Sequence, residues 1–232
     1  MNIMEKNMKK QFILATLLVV LVTILVGCSG NATKDNSALI KGAASSFNLI
    51  VSNNVENLVY HKKLSHFGLL LRDGDKFEWT ENPSVSDADF SISVNADEFI
   101  KAGLDVTKLK GTTFTFKEAS KDAPGLLIYK YNVSNSKENY KDSNEAFEKL
   151  ISQIPGQIST LKNDGYILSF NQGFQLHWNS DERVNKDMAL IISADDLIKA
   201  GLNVNKLNEW KIMKNKDSKV TQVRLLKIYY LK

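Results

Sequence analysis

Along most of this 232-residue chain the apolar residues fall into short rhythmic runs, and the rhythm changes with position. Phe47, Ile50, Val51, Val55 and Leu58 return every three or four residues, as do Phe147, Leu150, Ile151, Ile154, Ile158 and Leu161. That spacing predicts one apolar face on a helix. Pro155-Gly156 falls inside the second run and predicts a kink or split. After each run the period drops to two. Phe67, Leu69 and Leu71 lead to Asp73-Gly74, and Phe77 and Trp79 leave on one face, which is a hairpin pattern. Tyr166, Leu168 and Phe170 lead in the same way through Asn171-Gln172-Gly173 to Leu176 and Trp178. A third strand alternates through Phe90, Ile92 and Val94, or Met188, Leu190 and Ile192. Two more close each unit: Thr112-Phe114-Phe116 then Leu127-Tyr129-Tyr131, and Trp210-Ile212 then Leu226-Ile228-Tyr230. Strands grouped beside helices predict an α+β fold with mainly antiparallel sheet.

The same order of elements occurs twice, and the residues themselves repeat. Ala96 to Leu109 aligns with Ala194 to Leu207, with ten of fourteen pairs identical at an offset of 98. Upstream, Phe77-Glu78-Trp79 aligns with Leu176-His177-Trp178 at an offset of 99. Downstream, Leu126-Leu127 and Tyr131 align with Leu225-Leu226 and Tyr230, again at 99. Matches in one order over this length point to a tandem duplication. The expected divisions are a leader at 1–27, a polar tether at 28–42, repeats at 43–132 and 144–232, and a linker at 133–143.

The best-matched segment reads as a short capped helix. Asn95 and Ser193 suit its N-cap, and Glu98 and Asp196 occupy the first turn. Val94 with Phe99, and Ile192 with Leu197, have the spacing of a hydrophobic staple. Gly103 and Gly201 stand where a left-handed residue would end the helix. Asp105 and Asn203 are placed to cap a further turn. The paired acids Asp97-Glu98 and Asp195-Asp196 are therefore read as helix-start chemistry rather than acid/base or metal groups.

The amino-terminal segment breaks the pattern. Lys9 and Lys10 precede an apolar stretch from Phe12 to Val26, and Leu25-Val26-Gly27-Cys28 closes it. The stretch is shorter than the ~20 residues that span a bilayer, and basic, apolar and small-residue regions follow one another as in a secretory signal. The run ending in Cys28 resembles the lipobox of bacterial lipoprotein precursors. The resemblance implies cleavage before Cys28, acylation of its thiol, and a protein anchored on the outer side of the cell membrane. Cys28 is the single cysteine of the chain, so no internal disulfide is expected.

Removing that leader lowers the formal charge from +4 to about +2, with Lys and Asp/Glu interleaved; nucleic acid is not an expected partner. The expected partners are the membrane, through lipid on Cys28, and an envelope ligand or protein that the sequence does not name. No catalytic motif, cofactor loop or zinc spacing stands out among the residues, and no cofactor or metal is expected. His61 and His66 are separated by an expected helix break, and His177 is expected to face solvent. Trp79 and Trp178, with their neighbours Glu78 and His177, are the candidate ligand contacts. Packing in the core is the favoured role for both tryptophans. Positions that differ between the copies mark where tasks diverged: Glu78 against His177, Arg72 against Asn171, Asp75 against Phe174. The reading is a lipid-anchored, non-enzymatic binding module with its site at the seam between repeats. An envelope hydrolase at that seam and an assembly role are the alternatives.

Overall fold

Each apolar rhythm becomes an element in the computed structural model, which describes residues 36–134, 138–161, 165–180, 187–214 and 222–231. The leader and Cys28 lie outside the described residues. In the first repeat α1 (Asn36–Asn53) precedes β1 (Leu58–His61), β2 (His66–Leu70), β3 (Lys76–Thr80) and β4 (Phe90–Asn95). Then come α2 (Asp97–Lys101), β5 (Thr115–Lys117) and β6 (Leu126–Tyr131). The second repeat matches it: α3 (Ser143–Ser152), β7 (Ile158–Leu161), β8 (Gly165–Ser169), β9 (Gln175–Asn179), β10 (Asp187–Ser193), α4 (Asp195–Lys199), β11 (Lys211–Lys214) and β12 (Val223–Tyr230).

The strands form two six-stranded antiparallel sheets of the same order, β1-β2-β3-β4-β6-β5 and β7-β8-β9-β10-β12-β11. This is the expected α+β duplication. Three details of the sequence reading change. The helices end earlier than the apolar spacing suggests, because Leu58, Ile158 and Leu161 belong to edge strands β1 and β7. Of the kink or split expected at Pro155-Gly156, the split is found: the helix ends at Ser152 and Pro155 starts a separate 3₁₀ turn. His61 and His66 therefore sit opposite each other in a β1–β2 pair, not on either side of a helix break. Finally, α1 begins at Asn36, inside the segment 28–42 expected to be a polar tether.

Register also corrects the repeat alignment. Val94 pairs with Leu127, and Ile192 with Leu225, so the last strands correspond at an offset of 98. Tyr129 is thus the counterpart of Lys227, and Tyr131 of Tyr229.

The two repeats share one core. Phe47 of α1 stacks on Phe147 of α3 at 3.8 Å and 15°. Each helix packs most closely on the other repeat's sheet: α1 on β7 and β9, α3 on β3. Trp79 Nε1–H donates to the Ser143 carbonyl at the start of α3, and Trp178 Nε1–H to the Ala43 carbonyl of α1. The helices are exchanged between the sheets.

A second point of approximate two-fold symmetry lies at the repeated motif. Gly103 and Gly201 end α2 and α4 with φ of 104° and 102°, as the sequence predicts. Asp105 N–H donates to the Ala200 carbonyl at 2.9 Å, and Asn203 N–H to the Ala102 carbonyl at 3.0 Å. A Cβ on Gly201 would lie 2.9 Å from the Gly103 oxygen. Glycine is needed for its backbone angle and for this approach. Asp105 and Asn203 cap the next turns, accepting from Thr107 and Asn205 N–H. Asn95 accepts from Asp97 N–H, but neither Glu98 nor Asp196 folds back on its own helix.

Candidate functional site

Both tryptophans named from the sequence are core residues. Trp79 is 0% and Trp178 1% exposed, and each ring nitrogen is satisfied by a helix carbonyl. Neither offers a ring face to a ligand. Their alternating neighbours point to the outer faces of the sheets. Glu78, buried beside Ser91, accepts from Lys76 Nζ at 2.9 Å and from Ser91 Oγ at 3.0 Å; His61 Nε2 is 3.6 Å away. His177 does not face solvent as expected. It lies between Ile167 and Ala189 in the sheet register and is 6% exposed. Burial, aided by the Arg224 charge, pushes its pKa down to about 4, so the ring is neutral at pH 7. These four residues are not brought together.

His66 and Ser86 are the closest approach to a nucleophile and base. Ser86 Oγ is 2.7 Å from His66 Nε2. The same nitrogen is 2.8 Å from the Ala88 carbonyl, and Ser86 Oγ also donates to that carbonyl. In the tautomer that lets Nε2 donate to this carbonyl, the serine proton is committed as well. The ring cannot act as general base toward Ser86 in this arrangement.

The seams between repeats hold the informative difference. Leu71 N–H donates to the Asp75 carbonyl, and Phe170 N–H to the Phe174 carbonyl, both at 2.8 Å, which makes Asp75 and Phe174 counterparts. Each faces the counterpart of the other's partner across a seam. At one seam Lys227 Nζ reaches Glu209 at 2.7 Å, Asp75 at 2.9 Å and Asp73 at 3.2 Å. Tyr229 Oη donates to Asp75 at 2.6 Å, and the ammonium stands 5.8 Å from the Trp210 ring centre. Burial alone would lower the Lys227 pKa. Its bonds to Glu209 and Asp75 outweigh burial and hold it above the ordinary value. Burial first, then the Asp75 charge, raises the Tyr229 phenol. This seam is closed by charge.

At the other seam the counterparts are aromatic. Tyr129 stacks on Phe174 at 3.7 Å and 6°, and Phe114 packs on Phe174 at 5.3 Å. Tyr129 Oη donates to the Asn171 carbonyl at 3.1 Å, and burial raises its pKa. Beside this stack is a groove of about 460 Å³, walled by Thr112, Thr113, Tyr129, Tyr131, Asn171 and Asp196. It lies within the size range of small-molecule sites. Residues of both repeats line it.

The two acidic helix starts explain how the seams are joined. Asp196 accepts from Thr113 N–H at 3.3 Å and Thr113 Oγ1 at 3.2 Å. Glu98 accepts from Asn208 N–H and, at 3.0 Å, from Glu209 N–H. Each carboxylate clips a loop of the other repeat, and Thr113 and Glu209 are counterparts.

The sequence reading singled out Asp75 against Phe174 and Arg72 against Asn171, which border these seams. It missed Tyr129 and Lys227, because the offset of 99 set each beside the wrong partner. The one-face series Leu225, Lys227 and Tyr229, set against Leu127, Tyr129 and Tyr131, was the available signal. Among the described residues no three His, Cys, Asp or Glu side chains gather as a metal set. No helix among the described residues is long and apolar enough to cross a membrane. Compared with known protein families, curated proteins and solved structures, the chain matches none.

Proposed function

We propose that this chain is a lipid-anchored, extracytoplasmic envelope protein that works as a non-enzymatic binding module. Its ligand occupies the groove at the open seam. One observation carries the reading: two seams built from the same repeat have diverged, one filled by its own charged side chains and the other left as a groove lined from both halves. Fold alone would be served by closing both. The committed protons of the His66–Ser86 pair favour binding over hydrolysis.

The anchor rests on the lipobox-like run at Leu25-Val26-Gly27-Cys28. Two or more acyl chains give a stable membrane hold, whereas one gives only a marginal hold. Substituting Cys28→Ser moves the protein from the membrane fraction to the soluble one if the anchor is lipid; an unchanged distribution refutes it. For the site, an isotope-labelled chain starting at Ser29 is titrated with a solubilised envelope digest. Amide shifts concentrated at Thr113 and Asn171 support the seam. Shifts elsewhere, with these two silent, remove it.

A further inference from the structure

The chemistry of the open seam narrows the class of ligand. Four charged groups at the closed seam have neutral counterparts in the sequence here: Tyr129 for Lys227, Phe174 for Asp75, Gln172 for Asp73 and Thr113 for Glu209. The two charges that remain at the groove are already matched. Asp196 is 3.4 Å from Lys199 Nζ and accepts from Thr113, while Lys130 is ion-paired with Asp87. A polyanion or a basic peptide would meet no uncompensated partner, and its own desolvation would go unrepaid.

The rest of the wall is made of groups that donate and accept. The Thr112, Thr113 and Tyr129 hydroxyls already donate to the Leu109 carbonyl, Asp196 and the Asn171 carbonyl and offer lone pairs to a ligand, while the Asn171 amide and the Tyr131 phenol carry both donors and acceptors. The Asn171 residue is exposed, and its side chain makes no hydrogen bond among the described residues that would have to be broken. Tyrosine adds an apolar ring next to its polar tip. A matching ligand is uncharged, rich in hydroxyls, and presents C–H faces between them. The volume of about 460 Å³ accommodates more than a single small ring.

We infer that the open seam binds a short stretch of neutral glycan. This rests on the seam being the binding site of the module. The test uses the labelled chain from Ser29 and three probes: N-acetylglucosamine oligomers, poly(glycerol phosphate) and a lysine-rich peptide. The oligosaccharide is expected to shift the Thr113 and Asn171 amides in a saturable way, with the charged probes leaving them unmoved. Asn171→Ala and Asp196→Asn should each weaken that binding roughly tenfold, the worth of one good hydrogen bond. Unchanged signals from Asp75 and Lys227 at the other seam check that each variant is folded. A seam that responds to a charged probe and not to the oligosaccharide overturns the glycan inference and leaves the seam as a site. Silence at the seam toward all three probes overturns the inference, and silence toward the envelope digest as well removes the site itself. Oligosaccharide binding unaffected by either substitution also overturns it.

Discussion

Exchanging the chemistry of the two seams tests whether Lys227 and Asp75 act as a unit. Asp75 is 1% exposed, and among the described residues its carboxylate has Lys227 as its ion-pair partner, at 2.9 Å. Lys227→Tyr leaves that carboxylate buried, with only Tyr229 Oη and Asn95 N–H as donors. Breaking one side of a buried pair costs about 3–5 kcal/mol, and the two remaining donors put this case near the lower end. Asp75→Phe leaves Lys227 with Glu209 and Asp73, both partly exposed, and removes the acceptor for Tyr229 and Asn95. The expected cost is again about 3 kcal/mol. The double variant installs the pair already present as Tyr129 on Phe174. The buried carboxylate is then gone together with its cation; Glu209 and Asp73 lose Lys227 but are exposed enough for water to solvate them, and an aromatic pair adds about 0.5–1.5 kcal/mol. It should be destabilised by roughly 2–3 kcal/mol, well short of the sum of the single changes. Urea unfolding at pH 7 of the chain from Ser29, with the slope m checked for constancy, gives the coupling. Single changes that add to within about 0.5 kcal/mol would refute the view that this seam is held by a coupled pair.

Three further outcomes follow from other parts of the molecule. His177 is neutral when folded, with a pKa near 4 against 6.5 unfolded, so unfolding takes up a proton between those values; stability is full above about pH 6.5 and falls as pH drops toward 4, by roughly 3 kcal/mol for this group alone. Thermal melts across that range should show a smaller pH slope in His177→Gln, and an identical slope in both proteins would show that this ring is not the cause. Gly201→Ala forces a Cβ to 2.9 Å from the Gly103 oxygen at a φ of 102°, and should cost about 2 kcal/mol or more in chemical denaturation; a neutral effect would mean that the backbone contact is not constrained. Cutting the chain at a protease site inserted after Ser134 should leave both halves co-eluting in native buffer, because α1 and α3 are exchanged; separation without denaturant counts against the exchange.

Much of the fold was legible because local rules act on neighbours in sequence. Asp73-Gly74 and the alternation around it specify a hairpin, and Gly103 and Gly201 adopt the left-handed angles their positions suggest. The edge strands were hidden because Leu58 and Ile158 extend the helical spacing by one more turn. Periodicity identifies an apolar face but not the surface it meets, so nothing local told Phe47 and Phe147 that their helices would cross to the opposite sheets. His177 failed for the same reason: alternation placed it on the outer face, and its strand neighbours Ile167 and Ala189 made that face apolar. The seam groove depends on register. One residue of slip in the last strand trades Tyr129 for its neighbour, and a strand's faces swap with each such step.

The exchanged helices impose an order on folding. A chain delivered amino-terminus first would present α1 and the first sheet before α3 exists, and Trp79 would wait for a carbonyl 64 residues downstream. Trp178 in turn finds its acceptor 135 residues upstream, in a helix whose Phe47 also touches Phe77 and Trp79 of the first sheet. The first half therefore has no finished core to close on until the second has arrived. Loop closures of that length make folding slow relative to local contacts, and a chain threaded across a membrane would stay unfolded until nearly all of it had crossed.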